Sequence, residues 1–223
     1  QKMLGIADGT KPEQQGGEYL LPIKAHGLKT MSMGYLTSER TPMVWRGPMA
    51  GGALVQMLEQ TLWGDLDFLI IDMPPGTGDI QLTLSQKATL AGAVIVTTPQ
   101  DIALLYAQKG IEMFRKVDVP ILGVLENMAV HVCSNCGHVE HIFGAEGGQR
   151  IASDYGVPLL ASLPLALSIR EQTDAGHPTV VADPESAATA SYIAAAQAIM
   201  DTLEAGAGTG GVRAFPSITI SDD

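Results

Sequence analysis

The two cysteines of this 223-residue chain lie three positions apart, in the segment Cys133-Ser134-Asn135-Cys136. Two thiolates at this spacing can bind one metal ion or one edge of an iron–sulfur cluster. Neither site is complete with two ligands, because a tetrahedral zinc ion and a four-thiolate cluster each need four. The remaining ligands must therefore come from other residues or from another molecule.

Three interpretations of the cysteine pair are open. Two copies of the chain could each give both thiolates to one [4Fe–4S] cluster across a twofold axis. Alternatively, the pair could close a zinc site within one chain, together with two of the nearby histidines His131, His138 and His141. The third interpretation is a redox dithiol, but such thiols usually begin a helix, and Gly137-His138 does not continue one.

A second group of residues suggests nucleotide chemistry. Asp72 ends the apolar run at 67–72 and is followed by Met73-Pro74-Pro75-Gly76. In open parallel sheets, ligands bind beyond the carboxyl ends of the strands. An acid there can hold Mg²⁺ through water beside nucleotide phosphates, and Gly76 lets a backbone N–H approach a terminal phosphate. The alternative is that Asp72 only caps the next turn.

The elements that would position these residues are visible as continuous apolar runs. Such runs, without alternation, are typical of strands buried on both faces of a parallel sheet. The strands predicted from such runs are 67–72, 92–99, 120–127 and a weaker 158–164. Upstream, residues 28–33 alternate along the chain and are also predicted to form a strand. The predicted helices are 49–62, 78–90, 102–117, 146–155 and a last helix from the N-cap Asp183 to about Leu203. The alternation predicts an α/β fold, a mostly parallel sheet flanked by helices on both faces.

The composition excludes several classes of protein. With 46% hydrophobic and 17% charged residues, the chain is typical of a globular domain. Its net charge of −11 argues against nucleic-acid backbones and anionic membrane surfaces as partners, because no basic cluster could displace counterions. No run is long enough for a spanning helix, and two cysteines do not make a secreted disulfide framework. We therefore expect a soluble, cytoplasmic protein.

Several segments together resemble one family. Ile70 to Asp79 is similar to the Walker B and switch II segment of the Mrp/ApbC iron–sulfur cluster carrier ATPases, relatives of the ParA and MinD deviant P-loop proteins. The stretch from Cys133 to Cys136 is similar to the cysteine motif of the same family. Further matches are Met43 to Met49, Val96 to Asp101, Glu126-Asn127-Met128, Phe143-Gly144 and Leu163-Pro164-Leu165. The matches extend from about Met3 to Leu203.

The resemblance implies specific roles. Asp72 would be the Mg²⁺-linked catalytic acid, Gly76 the γ-phosphate sensor, and Asn127 a hydrogen-bonding partner of adenine. The protein would be a homodimer that binds a [4Fe–4S] cluster through Cys133 and Cys136 of both subunits. It would take the cluster from an assembly scaffold and deliver it to apoproteins. ATP and Mg²⁺ would be the cofactors of the intact protein.

The chain departs from the family at one point. The family's Gly-rich phosphate loop, with its Lys and Ser/Thr, is absent from this sequence. We therefore expect an N-terminally truncated Mrp-type domain at 1–204, without the first strand and P-loop, a flexible tail at 205–223, and no ATP hydrolysis by this chain. The alternative function is a ParA/MinD-like regulatory ATPase with a structural zinc loop, although the tail lacks the amphipathic membrane helix usual in MinD relatives.

Overall fold

The computed structural model describes residues 1–36, 47–74 and 78–208. Its strands are β1 (Gln14–Gln15), β2 (Tyr19–Leu20), β3 (Ile23–Ala25), β4 (Leu28–Thr30), β5 (Ala93–Thr97), β6 (Ile121–Val132), β7 (Val139–Glu140) and β8 (Leu159–Pro164). Its α-helices are α1 (Gly47–Glu59), α2 (Asp79–Lys87), α3 (Asp101–Lys116), α4 (Gly147–Tyr155), α5 (Leu167–Asp174), α6 (Thr179–Ala182) and α7 (Ala187–Gly208). Short 3-10 helices lie at Lys2–Leu4 and Met33–Tyr35.

Three parallel strands in the order β5-β6-β8 form the central sheet. Glu126 of β6 is in register with Thr97 of β5 and with Ser162 of β8. These strands confirm the predictions at 92–99, 120–127 and 158–164. β6 runs past Asn127 to Val132 and then pairs with the antiparallel β7.

Helices cover the central strand on both of its faces. Leu104, Ala107 and Ile111 recur at helical spacing on α3 and are buried on one face. They pack with Ile95 of β5, with Val124 of β6 and with Ile151 and Ala152 of α4. α7 packs on β8 and β6. The successive residues 122–124 are all buried, so helices flank the sheet on both faces, as predicted.

The predicted strand at 67–72 is wrong. This run forms no ladder with any described strand. The side chains of Phe68 and Ile70 are 56% and 90% exposed. An extended segment becomes a sheet strand only where a neighbour pairs its backbone N–H and C=O groups. In the described part of the chain, no strand lies beside this run, so the apolar pattern alone does not form one.

The pairing of one strand and both ends of the last helix also differ from the predictions. β4 is a strand, as predicted, but it pairs with β3 in a separate two-stranded hairpin. The last helix begins at Ala187 because the hydroxyl of Ser186, and not Asp183, accepts the Thr189 N–H at 3.2 Å. That helix continues to Gly208, four residues into the predicted tail. Within the described residues, none of the helices has the length and apolar character needed to cross a membrane.

Candidate functional site

The two cysteines lie at the tip of a hairpin formed by β6 and β7. Beyond the last paired residues, the Cys133 N–H donates to the His138 carbonyl at 2.9 Å. The Gly137 N–H donates back to the Cys133 carbonyl at 2.9 Å. Gly137 has a φ of 71°, a conformation that glycine adopts without steric cost. This turn presents two free thiols, with Cys136 exposed and Cys133 half-buried.

Backbone donors in the turn favour the thiolate form of Cys133. The N–H of Cys136 and then that of Asn135 hold the pKa of the Cys133 thiol below its ordinary value, and the Cys136 side chain adds to this effect. Burial and the charge of Glu140 act in the opposite direction but do not outweigh it. The thiolate is the form that binds metal ions and cluster iron. The hairpin therefore presents Cys133 in a state suited to ligation.

The histidines beside the cysteines do not complete a metal site. The Nδ1 atoms of His131 and His141 lie 3.1 Å and 3.0 Å from the carbonyl oxygens of Leu165 and Ala129. The Nε2 atom of His138 lies 3.8 Å from the Glu140 carboxylate. Across the described ranges, no group of three or more His, Cys, Asp and Glu residues is placed to hold a metal ion. The zinc interpretation therefore lacks its further ligands.

Asn127 lies in the wall of an open cavity of about 710 Å³. The cavity follows β5 and α3, with Val96, Tyr106 and Gly110 in its largely apolar wall. In the described part of the chain, β5 pairs only with β6, so the cavity lies along an open strand edge. The Asn127 Oδ1 accepts the Met128 N–H at 2.9 Å. An amide beside an apolar cavity can offer a nucleobase both a donor and an acceptor.

Of the remaining predicted site residues, Asp72 does not lie in the wall of the Asn127 cavity. Asp72 is exposed. Gly76 lies outside the described residues. The structure therefore brings Cys133 and Cys136 together in one turn and places Asn127 on β6, the strand that leads into this turn, six residues before Cys133.

The sequence assigned no role to the buried acid Glu126, which was noted only within the segment Glu126-Asn127-Met128 that matches the family. Glu126 is 4% exposed. Its carboxylate accepts the Gly148 N–H at 2.8 Å and the Ser162 hydroxyl at 3.0 Å. The available signal was a charged residue directly after the apolar run at 120–125, because acids in such surroundings are seldom buried without partners.

The sequence is similar to a known family over most of its length. A model of the family described as ParA: NUBPL iron-transfer P-loop NTPase matches residues 1–200. The iron-sulfur cluster carrier protein of Pseudomonas fragi is 65% identical over 184 residues, which are 82% of this chain and 64% of that protein. The carrier protein of the same name from Escherichia coli K12 is 58% identical over 190 residues, covering 85% of this chain and 51% of its own length.

A mouse relative is similar as well. The iron-sulfur cluster transfer protein NUBPL of Mus musculus is 47% identical over 193 residues, 86% of this chain and 60% of that protein. The chain therefore spans between about half and two thirds of the length of these relatives.

Solved structures agree with the fold. The nucleotide-binding protein of Archaeoglobus fulgidus in complex with ADP superposes with a TM-score of 0.68 and 32% identity, covering 83% of this chain and 70% of that one. The cell division ATPase MinD of Pyrococcus furiosus gives a TM-score of 0.51 and 26% identity, covering 69% and 58%. Fold, sequence and family model together show that the chain belongs to the ParA/NUBPL family of iron-transfer P-loop NTPases.

Proposed function

We propose that this chain is the cluster-binding part of an iron–sulfur cluster carrier, whose cargo is a [4Fe–4S] cluster held between two copies. Each copy contributes Cys133 and Cys136, so that four thiolates complete the ligand set. The observation that carries the proposal is the hairpin, which presents two free thiols while the described part of the chain supplies no third ligand. The names of the bacterial and mouse relatives support the same cargo.

Shared ligation gives a physical route for release of the cargo. Each copy holds the cluster by two thiolates, so separation of the copies removes half of the ligands at once. The backbone N–H groups of Cys136 and Asn135, which lower the pKa of Cys133 in the metal-free chain, would stabilise its thiolate once the cluster is released. Thiolates of an acceptor apoprotein then take the vacated positions. The same exchange in reverse loads the carrier from an assembly scaffold.

ATP with Mg²⁺ is the proposed second ligand of the longer protein. Asn127 would contact adenine, Asp72 would hold Mg²⁺ through water, and Gly76 would sense the terminal phosphate. The A. fulgidus structure, which contains ADP, supports a nucleotide site in this fold. This chain has no Gly-rich loop followed by Lys and Ser or Thr. Among the described residues, Asn127 beside the apolar cavity is suited to a nucleobase, whereas the sequence offers no loop for the phosphates.

The open edge of β5 suggests how the nucleotide site is completed. A parallel strand can pair with such an edge, and the exposed apolar run at 67–72 offers a second surface for it. We propose that residues 1–208, which include the whole of α7, form one part of the NTPase domain, with the first strand and phosphate loop supplied by further sequence. The carrier would work as a homodimer in the cytoplasm, without nucleic-acid or membrane partners.

Anaerobic reconstitution with iron and sulfide tests the proposed cargo. We expect about four iron and four sulfide ions per two chains, with dimerisation on loading. The variants Cys133→Ser and Cys136→Ser should each lose most of the bound iron. The variant Ser134→Ala, which changes the same turn without removing a thiol, should load normally. One zinc ion per chain, with no iron uptake, would contradict the carrier function and favour the regulatory ATPase with a zinc loop.

A further inference from the structure

We propose that Glu126 is a positioning residue for the cysteine hairpin, which it ties to the sheet at both ends. We name residues 128–147 the cysteine segment, because they connect Asn127 to the start of α4 and contain the hairpin. Glu126 lies before this segment and Gly148 lies after it. The carboxylate of Glu126 accepts the Gly148 N–H at 2.8 Å, so one buried hydrogen bond joins the two ends.

A second hydrogen bond fixes these ends on the neighbouring strand. The other carboxylate oxygen of Glu126 accepts the Ser162 hydroxyl at 3.0 Å. Ser162 is in register with Glu126 on β8. The Leu165 N–H, farther along the chain, donates to the Val130 carbonyl at 2.8 Å. The cysteine segment is thus joined to β8 on one side and to α4 on the other.

The connection between Glu126 and α4 is closely packed, and the backbone near both ends of the cysteine segment is in an unusual conformation. A Cβ atom at Gly148 would lie 2.7 Å from the Glu126 Cβ, and one at Gly147 would lie 2.8 Å from the Pro99 carbonyl oxygen. Met128 and Glu146, near the two ends of the segment, have φ values of 55° and 60°. Residues other than glycine seldom adopt this conformation, so the surrounding contacts must hold it.

The chemistry of Glu126 is suited to this position. Gly148 is the second residue of α4, whose N-cap Glu146 makes no capping bond with its own side chain. An N-cap side chain usually accepts the N–H of the second or third helical residue. Here the side chain of Glu126, a residue of β6, accepts the Gly148 N–H instead. The positive end of the α4 dipole favours a carboxylate at this position. An apolar side chain would fill the site without the desolvation cost, but it would make neither bond.

The remainder of the hairpin is not held by core packing. Val132 and Val139, opposite each other on β6 and β7, are 53% and 52% exposed. The direction of the hairpin therefore depends on contacts at its base. If two copies share one cluster, as proposed above, that direction decides whether four thiolates meet. This consequence rests on the proposed function, whereas the positioning itself can be measured in the metal-free chain.

Hydrogen exchange of the metal-free chain tests the positioning. In Glu126→Ala we expect the Leu165 N–H, which donates to the Val130 carbonyl, to exchange about tenfold faster or more, because the cysteine segment that carries this carbonyl loses both bonds to Glu126. The Cys133 N–H, whose bond lies inside the hairpin, and the amides of α3 should change little. Glu126→Gln should stay close to wild type, because its amide can accept from Gly148 and donate to Ser162. The matched control is Glu146→Ala, which removes an exposed carboxylate at the same helix end and should have no effect.

Two results would overturn the proposal. The first is wild-type exchange of the Leu165 N–H in Glu126→Ala. The second is equal acceleration at Leu165 and in α3, since this would make Glu126 a general determinant of stability. If Glu126→Ala does not fold, Ser162→Ala carries the test, because it removes one of the two bonds. We expect about two- to fivefold faster exchange at Leu165 in that variant, and no change there would refute the proposal.

Iron release separates this proposal from the carrier function. Reconstituted Glu126→Ala should lose iron to a chelator at least about fivefold faster than Glu146→Ala, because Glu126→Ala removes both hydrogen bonds that tie the ends of the cysteine segment. A wild-type chain that takes up no iron contradicts the carrier function but leaves the exchange result standing. Equal release from both loaded variants contradicts the role of Glu126.

Discussion

Asn127 and Cys133 lie on one continuous stretch of backbone, since Asn127 belongs to β6 and Cys133 follows the last residue of that strand. Six residues of fully extended chain would span roughly 20 Å, and the left-handed conformation of Met128, with a φ of 55°, shortens this separation. A displacement of β6 at the proposed nucleotide site would therefore reach the proposed cargo site without an intervening element. The strand is thus a direct covalent connection between the two proposed sites.

The acidity of Cys133 can be measured by alkylation of the metal-free Cys136→Ser variant, in which Cys133 is the remaining thiol. The backbone N–H groups of residues 136 and 135 stabilise the thiolate, so the pKa of Cys133 is lowered in the folded chain. Alkylation should therefore reach half of its maximal rate at a lower pH in the folded chain than in urea. Asn135→Ala keeps the N–H group and should not change the result. Equal midpoints in the two states would contradict this prediction.

The core between the sheet and α3 should be sensitive to truncation. Ile111 of α3 is completely buried, so Ile111→Ala removes packed methyl groups and leaves a cavity. We expect the free energy of unfolding to fall by about 2–5 kcal/mol. Ile102 is on the same helix but 68% exposed, and Ile102→Ala should change stability by less than about 0.5 kcal/mol. Urea unfolding followed by circular dichroism measures both, and similar losses would refute the described orientation of α3.

The close approach at the start of α4 predicts that Gly148 cannot be enlarged. Gly148→Ala places a Cβ atom 2.7 Å from the Glu126 Cβ, so the neighbouring backbone must move. We expect a loss of about 1–3 kcal/mol in unfolding free energy. The control is Gly52→Ala in α1, where no atom lies within 4 Å of the added Cβ. That variant should gain about 0.5–1 kcal/mol from helix propensity, and a neutral Gly148→Ala would rule out the tight contact.

ATP hydrolysis should be absent from the 223-residue chain. Its sequence provides no Gly-rich loop with Lys and Ser or Thr to bind the phosphates. Phosphate release from ATP with Mg²⁺ should match that of buffer, and Asp72→Asn should leave it unchanged. Turnover above buffer that disappears in Asp72→Asn would show that other residues replace the loop.

The sequence predicted most of the sheet because its strands have continuous apolar runs and its helices have periodic ones. Val124 and Ile95 are buried by neighbours that the chain itself supplies. The run at 67–72 has the same composition, but pairing depends on a neighbouring strand that a local pattern does not reveal. The strand prediction failed there for this reason.

The site was predictable in part. The spacing of Cys133 and Cys136 identified a two-thiolate ligand set, and the structure places both residues at one hairpin tip. The role of Glu126 depends on Gly148 and Ser162, which lie 22 and 36 residues away in the sequence. Contacts over such distances arise from the fold and leave no local pattern, so the sequence alone did not reveal them.

The unpaired edge of β5 has a consequence for handling the molecule. No described strand pairs with the outer N–H and C=O groups of this edge, which lie next to the 60% exposed Val96 and are a template for intermolecular β-pairing and aggregation. At low ionic strength, the net charge of −11 keeps copies apart by mutual repulsion. At about 0.15 M salt the Debye length falls to about 8 Å, and this protection weakens. Concentrated stocks should therefore scatter more light as sodium chloride is added, and a lysine at position 96 should suppress the effect.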